Sequence, residues 1–209
     1  LHAGNSFSLV LFLEIFGIFA ICAITGSAFL NMLKIKTIVC YKLLNLMLGI
    51  IISSLFINTL SQPLGIPALQ SFLLMAALVV IPTLLVSPYL IKENFIFSME
   101  DRYDSIVFFG VIVFVGIWCW DVASSFPALQ KTGMLHAWED YFDHGAQLAQ
   151  FYDPKAVGQG DIHLVGTPLS LYHRSMYMLP AVIAGVANLT GVAASTAVLF
   201  PLGILLMSI

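Results

Sequence analysis

Two histidines and three carboxylates fall within one short stretch of the chain, at His136, Glu139, Asp140, Asp143 and His144. On an α-helix, His136, Asp140, Asp143 and His144 share one face, because their spacings of four, three and one keep returning to it. Two chemistries suit such a group. His136, Asp140 and His144 can ligate a divalent cation, the carboxylates favouring magnesium or manganese and the imidazoles pulling toward zinc. Alternatively Asp140 or Glu139 acts as general base on an acceptor hydroxyl, with Asp143 beside it to raise its basicity and His144 to hold it in place. A plainer account is that every amphipathic helix has a solvated polar face, and this is one.

A second group stands further on. The run Gly-Thr-Pro-Leu-Ser-Leu-Tyr-His-Arg at 166–174 leads into an apolar segment, which puts His173 and Arg174 at its mouth. Arginine grips phosphate bidentately and a helix N-terminus attracts anions, so a lipid phosphate is the group expected there. Ordinary snorkelling to lipid headgroups accounts for the same arginine. Asp121 follows an apolar run ending in Trp-Cys-Trp and is a further acidic candidate for substrate binding. Glu14 lies inside an apolar stretch, where an ionised carboxylate is costly.

These groups need rigid elements to hold them. Thr132 can cap a helix from about Gly133 to Tyr152, stopped by Asp153-Pro154. Trp138, Tyr141, Phe142, Gly145, Leu148, Ala149 and Tyr152 recur on it at intervals of three and four, opposite the stripe of His136, Asp140, Asp143, His144 and Gln147. That pattern predicts a helix lying in a membrane interface, aromatics down and carboxylates up.

The interface implies a bilayer, and composition agrees. Of 209 residues 60% are hydrophobic and 9% charged, far from the quarter charged of a soluble domain, so lipid must replace the missing polar shell. The expected fold is all-α and integral to the membrane, a single polytopic domain over 1–209. Its spans are expected at about 7–30, 43–60, 69–90, 106–126, 175–189 and 192–209, each judged against the 17 to 25 apolar residues that cross the hydrocarbon core. Pro82 and Pro88 are expected to kink or end the third. The turn signal Asn-Leu-Thr-Gly at 188–191 makes the last two spans a tight hairpin. Beginning at Leu1 and stopping at Ile209 within an apolar run, the chain reads as part of a longer polypeptide.

Orientation follows from Lys34, Lys36 and Lys42, which crowd the first connection and place it in the cytoplasm. Counting helices then sends the uncharged connection 61–68 and the long loop 121–174 outside, and the turn at 188–191 back inside. The plasma membrane is the expected location. Cys22, Cys40 and Cys119 lack metal or redox spacing. Membrane lipid is the expected partner, and nucleic acid is not.

Residues 118–209 resemble the GT-C superfamily of membrane glycosyltransferases. The likeness rests on the helix ending in Trp-Cys-Trp-Asp, the acidic segment Leu-His-Ala-Trp-Glu-Asp-Tyr-Phe-Asp-His-Gly, and Thr-Pro-Leu-Ser-Leu-Tyr-His ahead of the hairpin. The resemblance implies a lipid-linked sugar donor, carried on a polyprenyl phosphate, and an acid in the first large extracytoplasmic loop that activates the acceptor. That acid falls on Asp140, with Glu139 and Asp143 as competitors and Asp121 as the alternative counterpart. Two other readings stand beside it: a multi-pass transporter or lipid flippase, with Glu14 and Asp121 along its path, and a non-catalytic membrane scaffold.

Overall fold

The computed structural model describes residues 9–34, 41–86, 106, 109–110, 113–117, 139–154 and 174–207, with backbone only at 41–44 and 139–141. The helices are α1 (Leu9–Met32), α2 (Tyr41–Leu64), α3 (Ala68–Val86), α4 (Glu139–Tyr152), α5 (Ser175–Ala187), α6 (Gly191–Ala194) and α7 (Phe200–Met207), with a π-helical turn at Ser195–Leu199 joining the last two. Among the described residues there is no strand. Three helices, α1 to α3, are long and apolar enough to cross a membrane, which makes the chain a membrane protein by length and composition. They match the first three expected spans. Of the fourth, the described residues between 106 and 117 are helical and the rest lies outside the described residues.

The last two expected spans form apolar helices shorter than the first three. α5 has 13 residues, about 20 Å at 1.5 Å per residue and short of a hydrocarbon core of about 30 Å. The segment Gly191–Met207 is apolar but broken by the π turn, which ends two residues before Pro201. A proline ring and its missing N–H do not fit a regular α-turn, and the wider π turn precedes it. Thr196 and Ser195 turn their hydroxyls onto the Val192 carbonyl at 2.9 Å within this region.

α1 and α2 cross at the closest approach backbones permit. Gly26 lies against the Asn45 carbonyl and Gly49 against the Cys22 carbonyl, and a Cβ at either position would collide with main chain. Small residues are what allow transmembrane helices to meet this closely, where packing rather than hydrophobicity drives association. Pro82 does not end α3, which continues to Val86; the Thr83 hydroxyl donates to the Val79 carbonyl at 2.7 Å beside it. Pro88 lies outside the described residues. Leu73, Leu74, Leu78 and Ile81 are exposed on α3, the surface a lipid tail would cover.

The turn between α5 and α6 forms as its residues dictate. Asn188 adopts the left-handed conformation at φ 52° that closes a helix, the Leu189 N–H returns to the Ala184 carbonyl at 3.0 Å, and Thr190 accepts from the Ala193 N–H at 3.2 Å as the next N-cap. Gly185, one turn before Asn188, lies against Leu69 in the first turn of α3, so the turn sits at the end of the bundle where α2 passes into α3. Counting full crossings puts it at the opposite end. At its other end α5 meets α2 through Ser175 and Asn58, six residues and about 9 Å along α2 from its end at Leu64.

Candidate functional site

α4 rests on this shortened hairpin. Its helix stops where Asp153-Pro154 predicts, with the Asp153 N–H closing on the Ala149 carbonyl at 2.9 Å. Its start is Glu139; the expected residues 133–138, including His136, lie outside the described residues. Leu148 and Phe151 are fully buried, and Gly145 is in backbone contact with Gly191 and Val192 at the start of α6.

The buried face is turned relative to the apolar stripe. Phe142, assigned to the buried side by its type, is exposed. His144 and Gln147, assigned to the solvated side, reach into the bundle instead. The His144 ring packs edge-on against Phe200 at 5.4 Å between centroids, and its Nδ1 lies 2.6 Å from the Tyr177 hydroxyl. The Arg174 guanidinium donates to the Gln147 side-chain carbonyl. Specific polar partners on α5 outweigh the gain from burying one more phenyl ring. Tyr177 itself stacks on Phe151, 6.4 Å between centroids and 18° between planes.

The result is a polar cluster around the first turn of α5, made of His144, Gln147, Arg174 and Tyr177. The charges of Arg174 and Asp143 both reach the Tyr177 hydroxyl, with opposite sign. Arg174 occupies the N-cap position with no side chain capping the turn. The Tyr177 N–H turns back to the Arg174 carbonyl at 3.0 Å. On the other side stands Asn58 of α2, 4% exposed, whose Nδ2 donates to Ser175 Oγ at 3.4 Å.

Among the predicted site residues, then, the structure brings together His144, Asp143 and Arg174. Glu139 and Asp140 lie on the first turn of α4, one turn before them, with backbone only described. Asp121 and His173 lie outside the described residues. Glu14 is exposed on α1. Of the three expected metal ligands only the His144 side chain is described, and among the described residues no three metal-binding side chains gather. His144 has one ring nitrogen on Tyr177, which leaves Nε2 for any other partner.

Tyr177 and Asn58 are the residues sequence reasoning passed over. Asn58 belongs to a polar row, Ser54, Asn58 and Gln62, at helical spacing in an otherwise apolar span. That row was readable. Tyr177 carried no signal of its own, being one more aromatic in an apolar run.

Tyr152 ties α4 down at its C-terminal end. Its hydroxyl reaches the Gly191 backbone, and burial pushes it above the ordinary tyrosine range, with the nearby Asp153 charge adding to the effect and the Gly191 contact opposing it. The comparisons with known proteins are silent on this arrangement: no family model, no curated protein and no solved structure matches the chain.

Proposed function

We propose that this protein is a polytopic membrane transferase that takes a sugar from a polyprenyl-phosphate carrier at the extracytoplasmic face. One observation carries the reading: Arg174, at an uncapped helix start, is held by Gln147 on the same α4 that bears Glu139, Asp140 and Asp143. A phosphate grip and a set of candidate bases thus stand on facing elements. Transfer needs that pairing, since the donor phosphate leaves as an anion while the acceptor hydroxyl gives up a proton. In this reading Asp140 or Glu139 takes the proton, Asp143 and His144 support it, and Arg174 with His173 and Asp121 receives the donor. A magnesium or manganese ion bound through His136, Asp140 and His144 would neutralise the leaving phosphate. The segment 106–126 supplies a fourth crossing, the hairpin lies within the bundle, and the host is the plasma membrane.

The test uses the full-length protein in vesicles supplied with a polyprenyl-phosphate sugar. Asp140→Asn keeps size and removes charge, and transfer should fall about 100-fold or more, the scale of lost acid-base assistance. Asp153→Asn, beyond the cluster, should transfer normally. Loss in Asp121→Asn with activity retained in Asp140→Asn would move the base to Asp121.

A second reading, transport or lipid flipping, is favoured by the π turn at Ser195–Leu199 and by α5 starting below the rim of the bundle. Interrupted helices whose ends meet polar groups inside the bundle are the form that transporter sites take. Movement of labelled lipid across vesicles without sugar transfer would establish that reading in place of the first.

A further inference from the structure

We propose that Tyr177 is a positioning residue for His144: its O–H donates to Nδ1, which fixes the ring and leaves Nε2 as an N–H that serves an oxygen acceptor. This goes beyond the reading above, which gives His144 a supporting part without saying which nitrogen plays it. Two contacts hold the ring, from different elements. Nδ1 lies 2.6 Å from the Tyr177 hydroxyl on α5, and Phe200 at the start of α7 packs edge-on at 5.4 Å between centroids. Tyr177 is itself held, buried and stacked on Phe151, so its hydroxyl is delivered to a fixed point.

A contact this short carries one proton between the two atoms, and their chemistry decides which atom owns it. A phenol O–H gives up its proton more readily than a neutral imidazole N–H, and an imidazole lone pair is more basic than a phenol oxygen. The hydroxyl is therefore the donor. Of the two charges that reach it, that of Arg174 has the larger effect, and a nearby cation strengthens an O–H as donor. In a neutral ring one nitrogen accepts and the other donates, so Nε2 carries the ring proton. Such a ring has no lone pair left for a metal, because Nδ1 is taken by Tyr177 and Nε2 by its own proton. A divalent cation at this end of α4 would then rest on His136 and Asp140, without His144. The partner that suits Nε2–H is an anionic oxygen. The transferase reading supplies two: the carboxylate of Asp140, four residues earlier on α4, and the donor phosphate.

The experiment is nitrogen NMR of the full-length protein in nanodiscs, its histidine rings isotopically labelled, at a pH above the imidazole range. His144→Gln identifies the His144 signals by their loss. Nδ1 should resonate as a lone-pair nitrogen and Nε2 as an N–H. Tyr177→Phe keeps the ring on Phe151 and removes only the hydroxyl, so the two tautomers should then mix, their ratio changing about two- to tenfold, as for one net hydrogen bond. Thr59→Val, on the exposed side of α2, should leave the signals unchanged. A proton on Nδ1 in the parent, or the parent spectrum retained in Tyr177→Phe, would overturn the proposal. If Tyr177→Phe does not fold, the parent spectrum decides alone. Zinc or magnesium should leave Nε2–H in place; its conversion to a metal-bound nitrogen would also overturn the proposal. Movement of the Nε2 signal in Asp140→Asn assigns the carboxylate as acceptor, and movement on adding a polyprenyl phosphate assigns the phosphate. Movement by neither would overturn the role given to Nε2. These signals are read without sugar transfer, so a protein that transfers none can still show them. Their absence, in turn, leaves the Asp140→Asn transfer test standing.

Discussion

Gly145 on α4 lies backbone to backbone with Gly191 at the start of α6, and a Cβ on Gly145 would come within 2.9 Å of the Val192 nitrogen. Around that contact the rest of the site is assembled. His144 is turned toward Tyr177 and Gln147 toward Arg174 because their helix is pinned at the residue between them. A glycine pair thus does for α4 what Gly26 and Gly49 do for α1 and α2: it brings main chains close enough for side chains on either side to meet.

Gly191→Ala is accordingly expected to undock α4. The added methyl meets the Gly145 main chain, which has no rotamer to give way. Overpacking of this kind costs about 1–3 kcal/mol, or about fivefold and more in a docking equilibrium. In a background with the three native cysteines replaced, a flexible bis-maleimide should join Gln147→Cys to Arg174→Cys, two positions whose long side chains meet at their tips, and the yield should fall when Gly191→Ala is added. Undiminished cross-linking would show that the helix is held by something else.

Gly49→Ala should lower the unfolding midpoint in detergent, since α1 and α2 must separate to admit the methyl, again by about 1–3 kcal/mol. Gly17→Ala is the comparison. It lies on the same helix as Gly26 with nothing within 4 Å of a new Cβ, so it should be neutral or slightly stabilising through helix propensity. Equal losses in the two variants would mean that the crossing is not the seat of the effect.

Burial raises the Tyr152 hydroxyl above its usual value of 10.0, and the sign of its pH effect follows. The folded state holds the proton more tightly than the unfolded chain, so this contribution is complete below pH 10 and is lost as pH climbs through the raised value. Unfolding midpoints between neutral and strongly alkaline pH should fall less steeply in Tyr152→Phe than in the parent. Superimposable profiles would show that the hydroxyl is not buried in the folded state.

What the sequence discloses and what it hides divide along physical lines. The crossings α1 to α3 are legible because lipid selects for length and apolarity, both local properties. So are the stop of α4 at Asp153 and the turn at Asn188, where a single residue's backbone preference decides. The rotation of α4 is not legible: ranking residues by apolarity buries Phe142 and exposes His144, and only the presence of Tyr177 and Arg174 across the interface reverses them. The Gly145 and Gly191 contact joins residues 46 positions apart with no pattern in the chain between them. Depth is not legible for a related reason. A run of apolar residues reports that a segment avoids water, and both a crossing and a half-inserted hairpin do that.

That difference can be measured by labelling from each side. Asn188 is exposed at the hairpin turn, Leu64 is 60% exposed at the end of α2, and Lys34 closes α1 at the other end of the first pair of helices. Because Gly185 packs on Leu69 at the start of α3, the turn and the connection 65–67 belong to one end of the bundle. Single cysteines at positions 64 and 188, in a background without the native three, should react with a membrane-impermeant maleimide from the same side. A cysteine at position 34 should react from the opposite side, and positive charge in the first connection makes that side the cytoplasm. The geometry leaves little freedom here, since α5 would need about seven more residues to carry Asn188 across a core of about 30 Å. Labelling of positions 34 and 188 from one side, with 64 from the other, would mean that α5 crosses fully. Ser175 would then lie at the rim instead of beside Asn58.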